Sequence, residues 1–110
     1  MDNHKSNTKK HFNLYAVIDI RNQLVKFGKS LYPTARFKEL QTGNGNKLVF
    51  AGFCPEDKLS EKNAHEELSS IRVSGEWFKL NKLSRSVIDR MRGLNLKTYI
   101  IVMYIYVKWF

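Results

Sequence analysis

Residues 13–30 read NLYAVIDIRNQLVKFGKS, and this stretch decides the fold. Its two runs, Asn13–Ile20 and Leu24–Ser30, are rich in β-branched and aromatic residues and are separated by a short polar break. Two such runs with a tight connection predict an antiparallel hairpin. Because side chains alternate between the faces of a strand, Lys26 is expected on the face opposite Phe27.

Turn and capping residues divide the rest of the chain into further elements. In chain order these are a helix at 34–42 that Gly43 ends, a strand at 47–53, a helix at 57–73 that Gly75 ends, a short segment Glu76-Trp77-Phe78, and a helix at 82–92. Asn81 is expected to cap the last helix, with Gly93 past its end and an apolar face of Leu83, Val87 and Met91. The expected order is β-β-α-β-α-(β)-α, an α+β class with an extra apolar strand at the C-terminus.

The composition limits the number of domains, the possible disulfides and the kinds of binding partner. The 110 residues suit one domain, and a single cysteine rules out an intramolecular disulfide. The formal net charge of +9 favours a polyanionic partner, with nucleic acid ahead of an anionic membrane surface; a merely basic soluble surface is the alternative. The basic residues expected to contact nucleic acid are Lys29 on the hairpin and Arg85, Arg90 and Arg92 on the last helix.

The two ends of the chain differ in character from its centre. We expect a flexible basic arm at 1–12, a domain at 13–93 and an apolar extension at 94–110. The polar start favours a cytoplasmic protein without a signal peptide. Thr98–Val107 is uncharged but spans ten residues, whereas a membrane-crossing helix needs roughly 20. This run is therefore expected to add a strand to the sheet, to form a homodimer or to be simply an atypical terminus, and not to enter a membrane.

Four short motifs follow one another in a distinctive order. They are KFGKS at 26–30, P-x-x-R at 33–36, E-x-x-x-H at 61–65 and GEWF at 75–78. With Asn13-Leu14-Tyr15 ahead of them, they resemble the GIY-YIG nuclease superfamily over roughly residues 14–92, and in particular a phage-type branch in which KIG replaces YIG. Asn13 stands in place of the family's first glycine and Lys26 in place of its second tyrosine, and Asn81 is the candidate for its late asparagine.

The resemblance implies a three-stranded antiparallel sheet flanked by helices, one divalent metal (Mg²⁺ or Mn²⁺) and hydrolysis of a DNA phosphodiester. Tyr15 could bind or deprotonate the attacking water if a cation such as Lys26 lowers the pKa of its phenol. Arg36 presents a planar fork for phosphate oxygens. Glu61 is the expected metal ligand, since one or two carboxylates suffice for Mg²⁺. His65, one helical turn on, could orient Glu61, bind phosphate or relay a proton, or could simply pack.

For the remaining motif residues, we expect structural roles for some and a role at the site for others. Gly28 is expected to permit a close approach of backbone or substrate, or to mark a simple bend at the end of the strand. Glu76 is expected to pair with a basic residue near the site. Trp77 and Phe78 are expected to fill the core.

Three functions therefore remain open at this point. The first is a metal-dependent DNA endonuclease using Tyr15, Lys26, Arg36, Glu61 and His65. The second is a catalytically silent DNA-binding module of the same fold. The third is a protein-interaction domain in which Thr98–Val107 pairs with another chain.

Overall fold

The computed structural model describes residues 10–95, which form one antiparallel sheet and three α-helices. The elements are β1 (Asn13–Asp19), β2 (Leu24–Ser30), α1 (Pro33–Thr42), β3 (Leu48–Pro55), α2 (Glu61–Glu67), β4 (Arg72–Ser74), β5 (Trp77–Lys79) and α3 (Lys82–Leu94). The five strands lie in the order β3-β1-β2-β5-β4. The α+β class is thus confirmed. Most of the expected basic arm and all of the expected C-terminal strand lie outside the described residues.

The hairpin at the centre of the sheet forms as the alternation of its residues predicts. β1 and β2 pair along their whole length, from Asn13 opposite Ser30 to Asp19 opposite Leu24. Asp19 stabilises the turn because its carboxylate accepts hydrogen bonds from the backbone N–H and the side-chain amide of Asn22. Burial tends to raise the pKa of Asp19, but these hydrogen bonds, together with those from Asn46 and from the backbone of Arg21, lower it by more.

Apolar side chains cover both faces of the sheet. On one face, alternate residues of β1 and β2 pack against α2 and α3, and the rings of Phe27 and Phe78 meet edge to face with centroids 5.9 Å apart. On the other face, Tyr15 and Val17 pack with α1 through Phe37. Cys54 is fully buried in the first core, and this burial raises the pKa of its thiol to about 11. The hairpin is therefore held from both sides and offers a rigid frame for a site.

Within the described part of the chain the sheet has five strands, and the expectation of three was wrong. The predicted helix at 57–73 is limited to Glu61–Glu67, since Ser60 caps it by accepting a hydrogen bond from the backbone N–H of Asn63. A single 3₁₀ turn follows at Ser69–Ile71 and leads into β4. Gly75, with φ of +56°, makes the turn between β4 and β5 instead of ending the helix, because this backbone conformation favours glycine.

The last helix begins where expected but differs in two respects. Asn81 accepts hydrogen bonds from the backbone N–H groups of Leu83 and Ser84, which confirms the cap. The helix continues through Gly93 to Leu94, so the expected end was two residues too early. Leu83 remains 37% exposed, because the inward positions are Ser84, Val87, Ile88 and Met91. No helix within residues 10–95 has the length and apolar character needed to cross a bilayer.

Candidate functional site

β5 has only three residues, so it pairs with only the first part of β2. Its register with β2 ends at Lys26 opposite Trp77. At the next residue of β2, the backbone N–H of Phe27 donates to the carbonyl of Glu76 at 3.1 Å, and the Phe27 carbonyl accepts from Nε2 of His65 at 2.7 Å. Among residues 10–95, no strand pairs with this half of β2 on the side where β5 lies. Side chains from both faces of the sheet can therefore come together beside it. We call this place the β2 edge.

Tyr15, Gly28 and Arg36 lie together on the α1 side of the β2 edge. Tyr15 is 2% exposed, and Gly28 is its partner across the strands. A Cβ added to Gly28 would lie 2.5 Å from the hydroxyl oxygen of Tyr15, so glycine at this position leaves room for the Tyr15 ring. Arg36 on α1 hydrogen-bonds to the Tyr15 hydroxyl, and its Nη1 donates to Oε1 of Glu39 at 2.9 Å.

The phenol of Tyr15 does not have the lowered pKa that a general base would need. Burial raises its pKa, the hydrogen bond and charge of Arg36 oppose this only in part, and the charges of Glu76 and Glu61 add to the increase. Tyr15 therefore keeps its proton at neutral pH. The cation that hydrogen-bonds to Tyr15 is Arg36, whereas the sequence had suggested Lys26 for this role.

Lys26 instead forms an ion pair with Glu76. Its Nζ donates to Oε1 of Glu76 at 2.7 Å, and its side chain is only 12% exposed. The ammonium group also lies 5.8 Å from the ring centroid of Trp77, within the range of a cation–π contact. The basic partner expected for Glu76 is thus Lys26, one of the candidate catalytic residues.

Glu61 and Glu76 bring two carboxyl groups together beside Lys26. Glu61 is the first residue of α2, and its pKa is raised by burial and by the charge and hydrogen bond of Glu76. Burial tends to raise the pKa of Glu76 as well, but the hydrogen bond and charge of Lys26 lower it by more. Of the two carboxyl groups, Glu61 therefore holds its proton more tightly than Glu76 does.

Such a pair fits a divalent cation by its donor chemistry. Carboxylate oxygens are the ligands that Mg²⁺ and Mn²⁺ prefer, and Mg²⁺ commonly takes only one or two from the protein. The part of the chain that the structure describes contains no cluster of three or more His, Cys, Asp or Glu side chains placed to hold a metal. Any cation held by Glu61 and Glu76 would thus complete its shell with water and phosphate oxygens.

His65 is held by the sheet on the other side of the β2 edge. It lies one turn after Glu61 on α2, and a backbone carbonyl can only accept, so Nε2 of His65 carries the proton that it donates to Phe27. Its ring also packs against Phe78, with centroids 5.0 Å apart. This contact supports the packing interpretation of His65 and leaves Nδ1 as the ring nitrogen that could serve the site.

The other predicted residues are distributed between core and surface. Phe78 is fully buried, and Trp77 is half-buried in the second core. Lys29 is exposed, with its Nζ 5.4 Å from the ring centroid of Phe12. Arg85 is exposed on α3.

Two of the three arginines predicted on α3 make contacts within the protein. Arg90 forms an ion pair with Glu67. Nε of Arg92 donates to the carbonyl of Ala51 at 2.9 Å. Ala51 belongs to β3, the edge strand on the far side of the sheet from β5, so Arg92 is not part of the β2 edge.

Two contacts of the site were missed from the sequence. One is the bond between Tyr15 and Arg36, and the other is the pairing of Glu61 with Glu76. The GEWF motif placed Glu76 near the site, but no local spacing indicates that its carboxyl group faces Glu61. That pairing depends on how α2 and the turn before β5 pack against β2.

Comparison with known proteins identifies a domain family. The model of the family described as the T5orf172 domain matches residues 7–95, well over half of the chain. Neither the curated proteins nor the solved structures give a match.

Proposed function

The chain belongs to the T5orf172 domain family, and we propose that it is a metal-dependent endonuclease that hydrolyses DNA phosphodiester bonds. One observation carries the proposal: five chemically suited side chains from separate elements converge at the β2 edge. They are Tyr15, Lys26, Arg36, Glu61 and Glu76. Their order along the chain resembles that of GIY-YIG nucleases, and the net charge of +9 suits a polyanionic substrate.

Arg36 is suited to hold the phosphate. Its side chain is 47% exposed, and its guanidinium carries more N–H donors than the bonds to Glu39 and Tyr15 require. A planar guanidinium can bind two phosphate oxygens at once, and it stays charged at any relevant pH. Glu39 holds Arg36 in place until phosphate competes for it.

Glu61 and Glu76 are the residues that would hold the cation. A divalent cation bound there supplies positive charge at the phosphate and makes a nearby water more acidic. The raised pKa of Glu61 reflects burial beside a second carboxyl group, and positive charge between the two groups favours their ionised forms.

Tyr15 and Lys26 have roles that follow from their protonation and position. Tyr15 keeps its proton, so it orients the attacking water or a phosphate oxygen by hydrogen bonding instead of removing a proton. Lys26 is poorly exposed, so its charge is weakly screened and acts on the negative charge that builds up during hydrolysis.

Incubation of the protein with supercoiled plasmid DNA tests the proposal. We expect nicked or linear product with Mg²⁺ or Mn²⁺ and none with a chelator. Glu61→Gln should abolish cleavage but leave DNA binding nearly intact, because it removes a ligand charge and little bulk. Glu66→Gln, at an exposed position of the same helix, is the matched control and should cleave normally. Full activity of Glu61→Gln would reject the metal assignment.

A catalytically silent DNA-binding module is the second candidate. It is favoured by the raised pKa of Tyr15 and by the ion pair that engages Lys26 with Glu76. The same plasmid assay separates the two functions. A protein that shifts the plasmid on a gel but leaves it intact with either cation would have this second function.

A further inference from the structure

Tyr32 occupies a position where an aromatic residue is unexpected. It is the residue before α1, where Ser, Thr, Asp or Asn usually accepts a hydrogen bond from the first turn. The Tyr32 side chain makes no such bond, and the residue is 71% exposed. Pro33, next to it, is the buried residue at this end of the helix. Tyr32 therefore contributes neither a cap to α1 nor apolar area to the core.

The backbone of Tyr32 is nevertheless held on both sides. Its N–H donates to the hydroxyl oxygen of Ser30 at 3.0 Å, and its carbonyl accepts from the N–H of Arg36 at 3.0 Å. The ring is thus presented to solvent from a fixed point, one helical turn before Arg36. Because the backbone is already ordered, binding through this ring restricts only the rotamers of the side chain.

The chemistry around Tyr32 suits an unpaired nucleotide. Lys29 precedes it at the end of β2, Arg36 follows it, and both basic side chains are exposed. A second exposed aromatic residue, Phe12, lies under the ammonium group of Lys29. Aromatic rings beside cations bind single strands, because a ring stacks on any base while the cations contact the phosphates.

We propose that Tyr32 stacks on an unpaired nucleobase next to the phosphate that Arg36 binds, so that it positions the DNA strand at the β2 edge. This inference rests on the proposed nucleic-acid substrate and adds a specific contact to it. It also accounts for an aromatic residue at a helix start where a small polar residue would stabilise the fold better.

Binding of the full chain to a short single-stranded DNA, measured by fluorescence anisotropy with a chelator present, tests the inference. Tyr32→Phe keeps the ring and should bind within about twofold of the wild type. Tyr32→Leu and Tyr32→Ser should bind on the order of tenfold more weakly or worse, since they lose one base–aromatic stack. Ile20→Ser is the matched control, because Ile20 is a 56% exposed apolar residue at the other end of the hairpin. It should bind as the wild type does.

Two further readouts separate stacking from folding. Tyr32→Ser should have an unchanged or higher Tm, because serine can cap α1, so a loss of binding with no loss of Tm excludes a folding defect. An oligonucleotide that carries 2-aminopurine should change its fluorescence on binding to the wild type and to Tyr32→Phe, but not to Tyr32→Leu.

Three results would contradict the inference, and they are distinguishable. If the wild type binds DNA and the leucine and serine variants bind it equally well, the role of Tyr32 is wrong and the proposed function stands. If the wild type nicks plasmid DNA but binds no single-stranded oligonucleotide, the stacking role is again wrong and the proposed function stands. If it neither nicks plasmid DNA nor binds the oligonucleotide, the proposed function fails and the stacking role fails with it.

Discussion

Lys26 and Lys29 lie three residues apart on β2 and have different surroundings. Lys26 is bonded to Glu76 and nearly buried, whereas Lys29 is exposed beside Phe12. We expect Lys26→Met to reduce the cleavage rate on the order of 100-fold, because it removes a positioned charge. Lys29→Met should mainly weaken DNA binding, since it removes one phosphate contact. Plasmid nicking at saturating protein measures the first effect, and anisotropy the second.

The comparison of these two variants has its own control. Lys26→Met leaves Glu76 without its cation, so its urea unfolding curve is needed to show that the variant is folded under the assay conditions. If both methionine variants are folded and lose the same turnover at saturating protein, Lys26 is only a part of the basic surface.

Gly28 differs from Gly45 in the space that a side chain would find. A Cβ on Gly28 would lie 2.5 Å from the hydroxyl oxygen of Tyr15, whereas nothing lies within 4 Å of one on Gly45. We expect Gly28→Ala to lower the free energy of unfolding by about 1–3 kcal/mol through overpacking. Gly45→Ala should be close to neutral. Urea unfolding of the two variants provides the measurement, and a Gly28→Ala protein as stable as the wild type would show that the Tyr15 ring can move aside.

At the level of single elements, the start of α3 depends on reciprocal capping. Asn81 accepts from the first turn, and the hydroxyl oxygen of Ser84 accepts from the backbone N–H of Asn81 at 2.9 Å. We expect Asn81→Ala to reduce stability by about 1 kcal/mol, equivalent to a drop in Tm of roughly 4–8 °C. Asn63→Ala at an exposed position of α2 is the control. A calorimetric scan that shows equal Tm values for the two variants would contradict the importance of this cap.

The second helix shows why element boundaries were harder to predict than element types. Ala64 and Leu68 are buried at helical spacing, so the pattern correctly indicated a helix around them. The pattern also included Ile71, which packs against the same core from the 3₁₀ turn. An apolar residue at helical spacing does not distinguish a continuous α-helix from a 3₁₀ turn. For this reason the predicted helix was extended too far and included the first residues of β4.

Across the whole molecule, part of the charge is engaged within the fold. Arg90 pairs with Glu67, and Arg92 contacts a carbonyl of β3, so the surface that meets DNA carries fewer free cations than the sequence suggests. If the protein covers about five phosphates, the slope of log affinity against log salt should be about −4 to −5. Titrations from low to physiological salt measure this slope. A flat dependence would mean that the charge serves another purpose, and a protein-interaction role would then become the leading hypothesis.

The sequence by itself determined the hairpin, the presence of the three helices and the cap at Asn81. These features depend on the spacing of side chains along the chain and on hydrogen bonds between near neighbours. The sequence also indicated Tyr15 and Arg36 through the order of motifs. Only the tertiary structure decided which of these groups face each other. Lys26 reaches Glu76 across 50 residues of chain, and this contact exists because β5 begins opposite Lys26, directly after Glu76. The packing of distant elements sets such pairs, and no local spacing encodes them.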